Sequence, residues 1–266
     1  MLSKLIRYEW KAVARVCIPM YGGLILAAML THFLLGNLER FSSTLYDIIT
    51  MAMSTLCFGL FMAAFVLTLI IQIQRFSKNL LGDEGYLMFT LPASVSQHIT
   101  AKLVVAVLLD VLSVAAAILA VLALALDGTM WLDLPGDFFD MIVYVDWSDW
   151  LLLLELLLLC LAAGAVCMLH IYASIAVGHL ARKHRTLAAF GAYFGFAVAL
   201  NILFTGLLEI FVSSPWMAEI GRWFMEQEGD VGGHLLMWVL ILGIAVLGAG
   251  FFALTRYLLK NHLNLE

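Results

Sequence analysis

Six stretches of this chain are each long and apolar enough to cross a bilayer: 16–35, 51–73, 103–126, 150–177, 187–212 and 235–254. About 20 mostly apolar residues are needed for one helical span. Inside the hydrocarbon every backbone N–H and C=O must be bonded within the protein, which restricts the chain to helices or a closed barrel. The 266 residues are 64% hydrophobic and 12% charged, against about 25% charged in a soluble domain. No soluble core of this size could bury so much apolar side chain. The sequence therefore predicts an all-α polytopic membrane protein, a single transmembrane domain over 1–266. The fourth stretch is long enough to tilt or protrude.

Orientation follows from the basic residues. Lys4, Arg7, Lys11, Arg15, Arg75, Lys78, Lys102, Arg182, Lys183, Arg185, Arg256 and Lys260 fall on one side of the six spans, and Arg40 and Arg222 on the other. Cytoplasmic flanks carry the excess of Lys and Arg, so both termini are expected in the cytoplasm. The loop 127–149 holds Asp127, Asp133, Asp137, Asp140, Asp146 and Asp149 with no Lys or Arg, and is expected outside. Two readings fit its charge: an external loop that merely lacks cations, or a mouth that attracts or releases cationic cargo.

The amino-terminal region is too long ahead of its apolar stretch for a cleaved signal peptide, and it carries Glu9. Residues 2–15 read as an amphipathic helix. Leu2, Leu5, Ile6, Trp10 and Val13 recur at helical steps, with Lys4, Arg7, Lys11 and Arg15 on another face. An apolar face, a basic face and a Trp predict a helix lying in the membrane interface, its cations against anionic headgroups.

The longest polar interruption on the cytoplasmic side is 74–102. The second span is expected to continue through Arg75, Lys78 and Asn79, to be punctuated at Gly82 or Gly85, and to be followed by Tyr86, Leu87, Met88 and Phe89, which are apolar where water should be. Pro92 breaks the chain, and Ser94 or Ser96 can cap a helix running through Lys102 into the third span. Exposed apolar side chains beside the acidic pair Asp83 and Glu84 have the make-up of a partner-binding surface. The alternative is that Tyr86 to Phe89 fold back into the membrane interface.

The order Arg/Lys, then Gly-Asp-Glu-Gly-Tyr at 82–86, then Thr-Leu-Pro-Ala-Ser at 90–94, then Ala-Lys-Leu at 101–103 resembles permease subunits of the ABC type 2 exporter family. It is most similar to the small six-span permeases of Gram-positive bacteria. The resemblance implies that this loop holds a coupling helix seated in a groove of a separate ATPase subunit, with Lys78, Asp83, Glu84, Gly85, Tyr86 and Phe89 as the coupling residues. It further implies a second permease subunit, identical or related, placement in a bacterial plasma membrane, and ATP and Mg bound by the partner ATPase rather than by this chain. No catalytic, cofactor-binding or metal-binding residue is assigned in the chain itself, and no nucleic acid is expected as a partner.

Between the last two spans, Ser214 and Pro215 make a helix start. Trp216, Ile220, Trp223 and Phe224 follow at helical spacing, with Glu219, Arg222 and Glu226 pointing away. This is a short external helix, either an aromatic belt anchor or, as the resemblance implies, a lid above a shared cavity. Within the spans, Asp110 and Glu155 are expected to need a partner or a wet cavity, since a charge near mid-membrane costs about 2.5–3.5 kcal/mol. For Asp110 the candidate partners are Ser113 and Asn201; Glu155 can reach the outer interface. Gly191 and Gly195, and Gly243, Gly248 and Gly250, have close-packing patterns. His170 reads as a satisfied core residue, and the four cysteines as buried free thiols.

No G-x-x-x-x-G-K-[ST] loop, H-E-x-x-H or G-x-S-x-G motif occurs. The leading expectation is a permease subunit driven by a separate ATPase. An ion-coupled carrier titrating Asp110, and a non-transporting membrane sensor or regulator, are the alternatives.

Overall fold

The computed structural model describes the chain apart from residues 39–42, 83–84, 86–92, 126–127, 182, 215–216, 218, 220, 224–230 and 262–266. Among the described residues there are seven long helices: α1 Leu2–Leu38, α2 Ser43–Leu81, α3 Val95–Ala125, α4 Gly128–Tyr144, α5 Trp147–Gly178, α6 Arg185–Ser213 and α7 Val231–Asn261. All except α4 are long and apolar enough to cross a membrane, and no strand occurs among the described residues. The protein is an all-α polytopic membrane protein.

The helices overrun the apolar stretches that predict them. At 1.5 Å per residue, α1 and α2 (37 and 39 residues) are each more than about 55 Å long, against about 30 Å of hydrocarbon. The segment 2–15 and the first span are one unbroken helix, with Pro19 inside it. Hydroxyls within the apolar lengths fold back onto their own helix. Thr50, Thr68, Ser174, Thr205 and Thr255 each donate to the carbonyl four residues earlier, at 2.7–2.8 Å, so no polar group is left facing hydrocarbon on their account.

The chain forms two compact units: 1–75 with 104–144, and 76–103 with 145–266. In the first unit, Val13, Cys17 and Tyr21 of α1 pack with Val105, Leu109 and Ala116 of α3. Farther along, Leu24 and Ala28 meet Ala64, Ala120 and Ala123, small side chains that let helix backbones approach in a membrane. Ile6 and Trp10 pack against the Cys17 cluster, so the apolar face of 2–15 meets the protein's own core. Lys4, Arg7, Lys11 and Arg15 are exposed, as their basic face predicts. Side-chain bonds tie the three helices: Tyr21 to Thr68 at 2.8 Å, His32 Nδ1 to the Leu124 carbonyl at 3.1 Å, and Thr31 to Cys57 at 3.0 Å.

Residues 128–144, expected as loop, form α4. Asp133, Asp137 and Asp140 fall at four- and three-residue steps, which is an amphipathic pattern, and Pro135 is accommodated within the helix.

In the second unit α5 packs along both α6 and α7. The His170 ring stacks between Tyr193 of α6 and Phe251 of α7, with centroids 4.5 and 5.0 Å away. Its Nε2 is buried and without a hydrogen-bond partner among the described residues, and the two stacked rings hold it. The glycines divide unexpectedly. A methyl group at Gly191, Gly195, Gly243 or Gly250 would meet nothing within 4 Å, whereas one at Gly248 would lie 2.9 Å from Val166. The tightest approach is at Gly178, where α5 turns into α6. All four cysteines are free; Cys17 and Cys57 are buried as expected, but Cys160 and Cys167 are exposed.

Candidate functional site

Two helical limbs flank the loop between the second and third spans. One is the last part of α2, which carries Lys78 and ends at Leu81; the other is the first part of α3 from Val95. Both limbs belong to the second unit, although their helices continue into the first. The change falls between Arg75 and Phe76 and between Leu103 and Val104.

The limbs are rigidly founded. Phe76 and Leu80 are fully buried, as are Ile99 and Ala101 on the other limb. The Phe76 ring lies flat on Tyr172 of α5, centroids 3.9 Å apart and planes 5° from parallel, a contact that adds to the area both rings bury. His98 and Lys102 are also buried. α3 starts in a capping box: the Ser94 hydroxyl accepts from the Gln97 N–H at 3.4 Å, and the Gln97 side chain accepts from the Ser94 N–H at 3.2 Å. After α2, the Gly85 N–H reaches the Gly82 carbonyl at 2.9 Å, a turn at the glycines that the sequence singles out. Of the expected coupling residues, Lys78 and Gly85 are therefore placed at the rim of this loop. Asp83, Glu84, Tyr86 and Phe89 lie outside the described residues. Replacing Ser94 with Ala is expected to cost about 0.5–1 kcal/mol at this helix start, read as amide exchange in the first turn of α3 about two- to fivefold faster.

At the residue before the α2 limb, in the first unit, Arg75 grips Glu9 of α1. Its Nε and Nη2 both donate to Glu9 Oε2, at 3.1 and 2.8 Å. Glu9 is only 3% exposed. It sits on the same face as Leu5 and Val13, one helical turn from each, so the pattern of α1 already marked it as a charge on the inner face. One turn further into the membrane, the Gln72 amide donates to Asp110 Oδ1 at 2.9 Å and to the Ala106 carbonyl at 3.3 Å. Neither candidate from the sequence is the partner of the Asp110 carboxyl. Ser113 donates to the Asp110 backbone carbonyl at 2.8 Å, and Asn201, exposed in the second unit, receives the Thr205 hydroxyl on its own carbonyl. The Gln72 amide oxygen is buried without a partner among the described residues.

Glu155 does not reach outward. It is buried in the second unit, with His234 of α7 2.8 Å away and Ser148 3.0 Å from the other ring nitrogen of that histidine. Only three-dimensional proximity reveals this group, since Glu155 and His234 are far apart in sequence. Of the expected external helix, Trp223 is placed and exposed, while Trp216, Ile220 and Phe224 lie outside the described residues. Among the described residues no group of three or more His, Cys, Asp and Glu side chains could hold a metal.

No protein-family model, curated protein or solved structure matches this chain.

Proposed function

We propose that the chain is the membrane-spanning permease subunit of an ATP-driven exporter of the ABC type 2 class. It works with a second permease subunit and with a separate ATPase that binds ATP and Mg, in a plasma membrane with both termini cytoplasmic. The observation that carries this reading is the loop on its two founded limbs, joined to the sequence order that resembles the family's coupling segment. A docking loop transmits force only if its base does not give. Phe76 on Tyr172, buried Leu80 and Ile99, and the capping box at Ser94 supply that stiffness. The helices that leave the limbs continue into the first unit as α2 and α3, so displacement of the loop is carried into two spans.

The test is purification of the full chain from native membranes in mild detergent, with mass spectrometry of what co-elutes. A stoichiometric ATPase is expected; a lone chain with full transport activity sinks the reading. In the assembled complex, Tyr86→Ala removes an aromatic anchor, worth about 2 kcal/mol or about thirtyfold in ATPase affinity. Glu84→Ala is expected to lower transport-coupled ATP hydrolysis with the permease itself still folded.

A second reading, an ion-coupled carrier, has one observation in its favour: Asp110 beside a buried Gln72 oxygen with no described partner. Transport in sealed vesicles that needs an ion gradient and ignores ATP would select it.

A further inference from the structure

Ser148 in the first turn of α5, Glu155 in its third turn and His234 in the first turn of α7 form one hydrogen-bonded line. Glu155 Oε2 lies 2.8 Å from His234 Nδ1, and Ser148 Oγ lies 3.0 Å from His234 Nε2. A carboxylate can only accept, so Nδ1 carries the ring proton and donates to Glu155. In the neutral form of the ring, Nε2 is then left as acceptor for the Ser148 hydroxyl. Burial is graded along the line, with Glu155 5% exposed and His234 and Ser148 partly open. Compensating a carboxylate in an apolar helix requires a partner such as His234. It does not require a hydroxyl on the far nitrogen.

We propose that Ser148 is the nucleophile of an esterase site, with His234 as its base and Glu155 as the residue that positions His234. Such constellations are recognised by geometry and role rather than by sequence order, so the lack of a G-x-S-x-G motif does not count against this one. Ser148 is the second residue of α5, and Asp146, the residue before the helix, makes no side-chain cap. The N–H groups that open α5 beside Ser148 are thus not capped by Asp146, and the positive end of the helix dipole favours a developing oxyanion there. The site is at the end of an apolar span, the depth at which acyl ester bonds of membrane lipids lie, and exposed Trp147 beside it suits that interface. Exposed Asp146 and Asp149 flank the serine and repel anionic headgroups. The substrate class is therefore a neutral carboxylic ester.

The Ser148 proton passes to His234 Nε2 as Oγ bonds to the ester carbonyl carbon. The ester C–O bond then breaks, the alcohol leaves with that proton, and an acyl-Ser148 ester remains. Water, deprotonated by the same nitrogen, cleaves it to the carboxylic acid and restores Ser148.

The experiment uses the full chain in lipid nanodiscs with an alkyl fluorophosphonate, which forms an Oγ–P bond and expels fluoride. One adduct is expected, mapped by peptide mass spectrometry to Ser148, absent in Ser148→Ala and from protein first unfolded in SDS. Loss of the base in His234→Gln should slow labelling by about 100-fold or more. Hydrolysis of p-nitrophenyl butyrate should follow the same order, and Glu155→Gln should lower kcat with KM unchanged. No adduct on Ser148 in the folded native chain overturns the proposal, as does equal labelling of the SDS-unfolded chain. Neither result depends on a variant folding, and either leaves the three side chains as a polar clamp between two helices.

Discussion

Arg75→Ala is expected to destabilise the first unit by about 1.5–3 kcal/mol, because it removes the two charge-assisted bonds that Arg75 makes to a carboxylate that is almost fully buried. The converse change should be milder. Arg75 is about a quarter exposed at its side chain, and its long stem can carry the guanidinium towards water when Glu9 is removed. The order of loss is therefore Arg75→Ala, then Glu9→Ala. Glu9→Met with Arg75→Met should recover much of the deficit, since a buried pair replaced by apolar side chains no longer bears the desolvation cost. Thermal unfolding of the purified protein in one detergent, followed by tryptophan fluorescence, reads all four proteins. Losses that are equal for the two single variants, with no recovery in the Met–Met double variant, would mean that the pair is not coupled. Arg75 is the last residue of the first unit before the α2 limb of the loop.

The spans were legible because each is a long apolar run, and length against bilayer thickness decides them without tertiary knowledge. Their ends were not, because helices continue through polar residues wherever something packs on them. α2 runs on to Leu81 because Phe76 and Leu80 find a buried home. The segment 2–15 was legible as amphipathic, but an apolar face looks the same whether lipid or protein covers it. Glu9 on that face, one turn from Leu5 and from Val13, was the available sign that a protein partner lies there. α4 was hidden by its aspartates and by Pro135, which read as loop when residues are counted and as one polar stripe when spacing is considered. The cap at Ser94 was legible because a capping box is local. The partners of Asp110 and Glu155 were not, because Gln72 and His234 come from distant helices. The glycines misled for a similar reason: a small-x-x-x-small pattern permits close packing, and only the neighbour's position decides whether it occurs. Gly191 and Gly195 have open space around them, while Gly178, which the sequence reading did not single out, has a backbone against it.

Gly178→Ala is expected to disrupt the α5–α6 turn, although Ala is the better helix former by about 1 kcal/mol. A Cβ built on Gly178 would lie 2.6 Å from the Cβ and backbone nitrogen of Ala189 and 2.7 Å from its Cα. Two of these three atoms are main chain, so no rotamer change can relieve the overlap and α6 itself must move. Overpacking of this kind costs about 1–3 kcal/mol and sometimes more, which exceeds the gain in propensity. The turn has little room to adjust. The Leu180 and Ala181 N–H groups are bonded back to the Val177 and Gly178 carbonyls, and His184 already holds a positive φ of 57°. Gly248 supplies the contrast on the other side of α5. There the nearest atom to an added Cβ is a methyl of Val166 at 2.9 Å, a side chain that truncation can remove. Gly248→Ala combined with Val166→Ala should therefore regain most of what Gly248→Ala loses, whereas Gly178→Ala combined with Ala189→Gly should regain little. Melting temperature and the monodisperse fraction after detergent extraction read both cycles. Full rescue of Gly178→Ala by Ala189→Gly would mean that the side chain, and not the α6 backbone, sets the approach of the two helices.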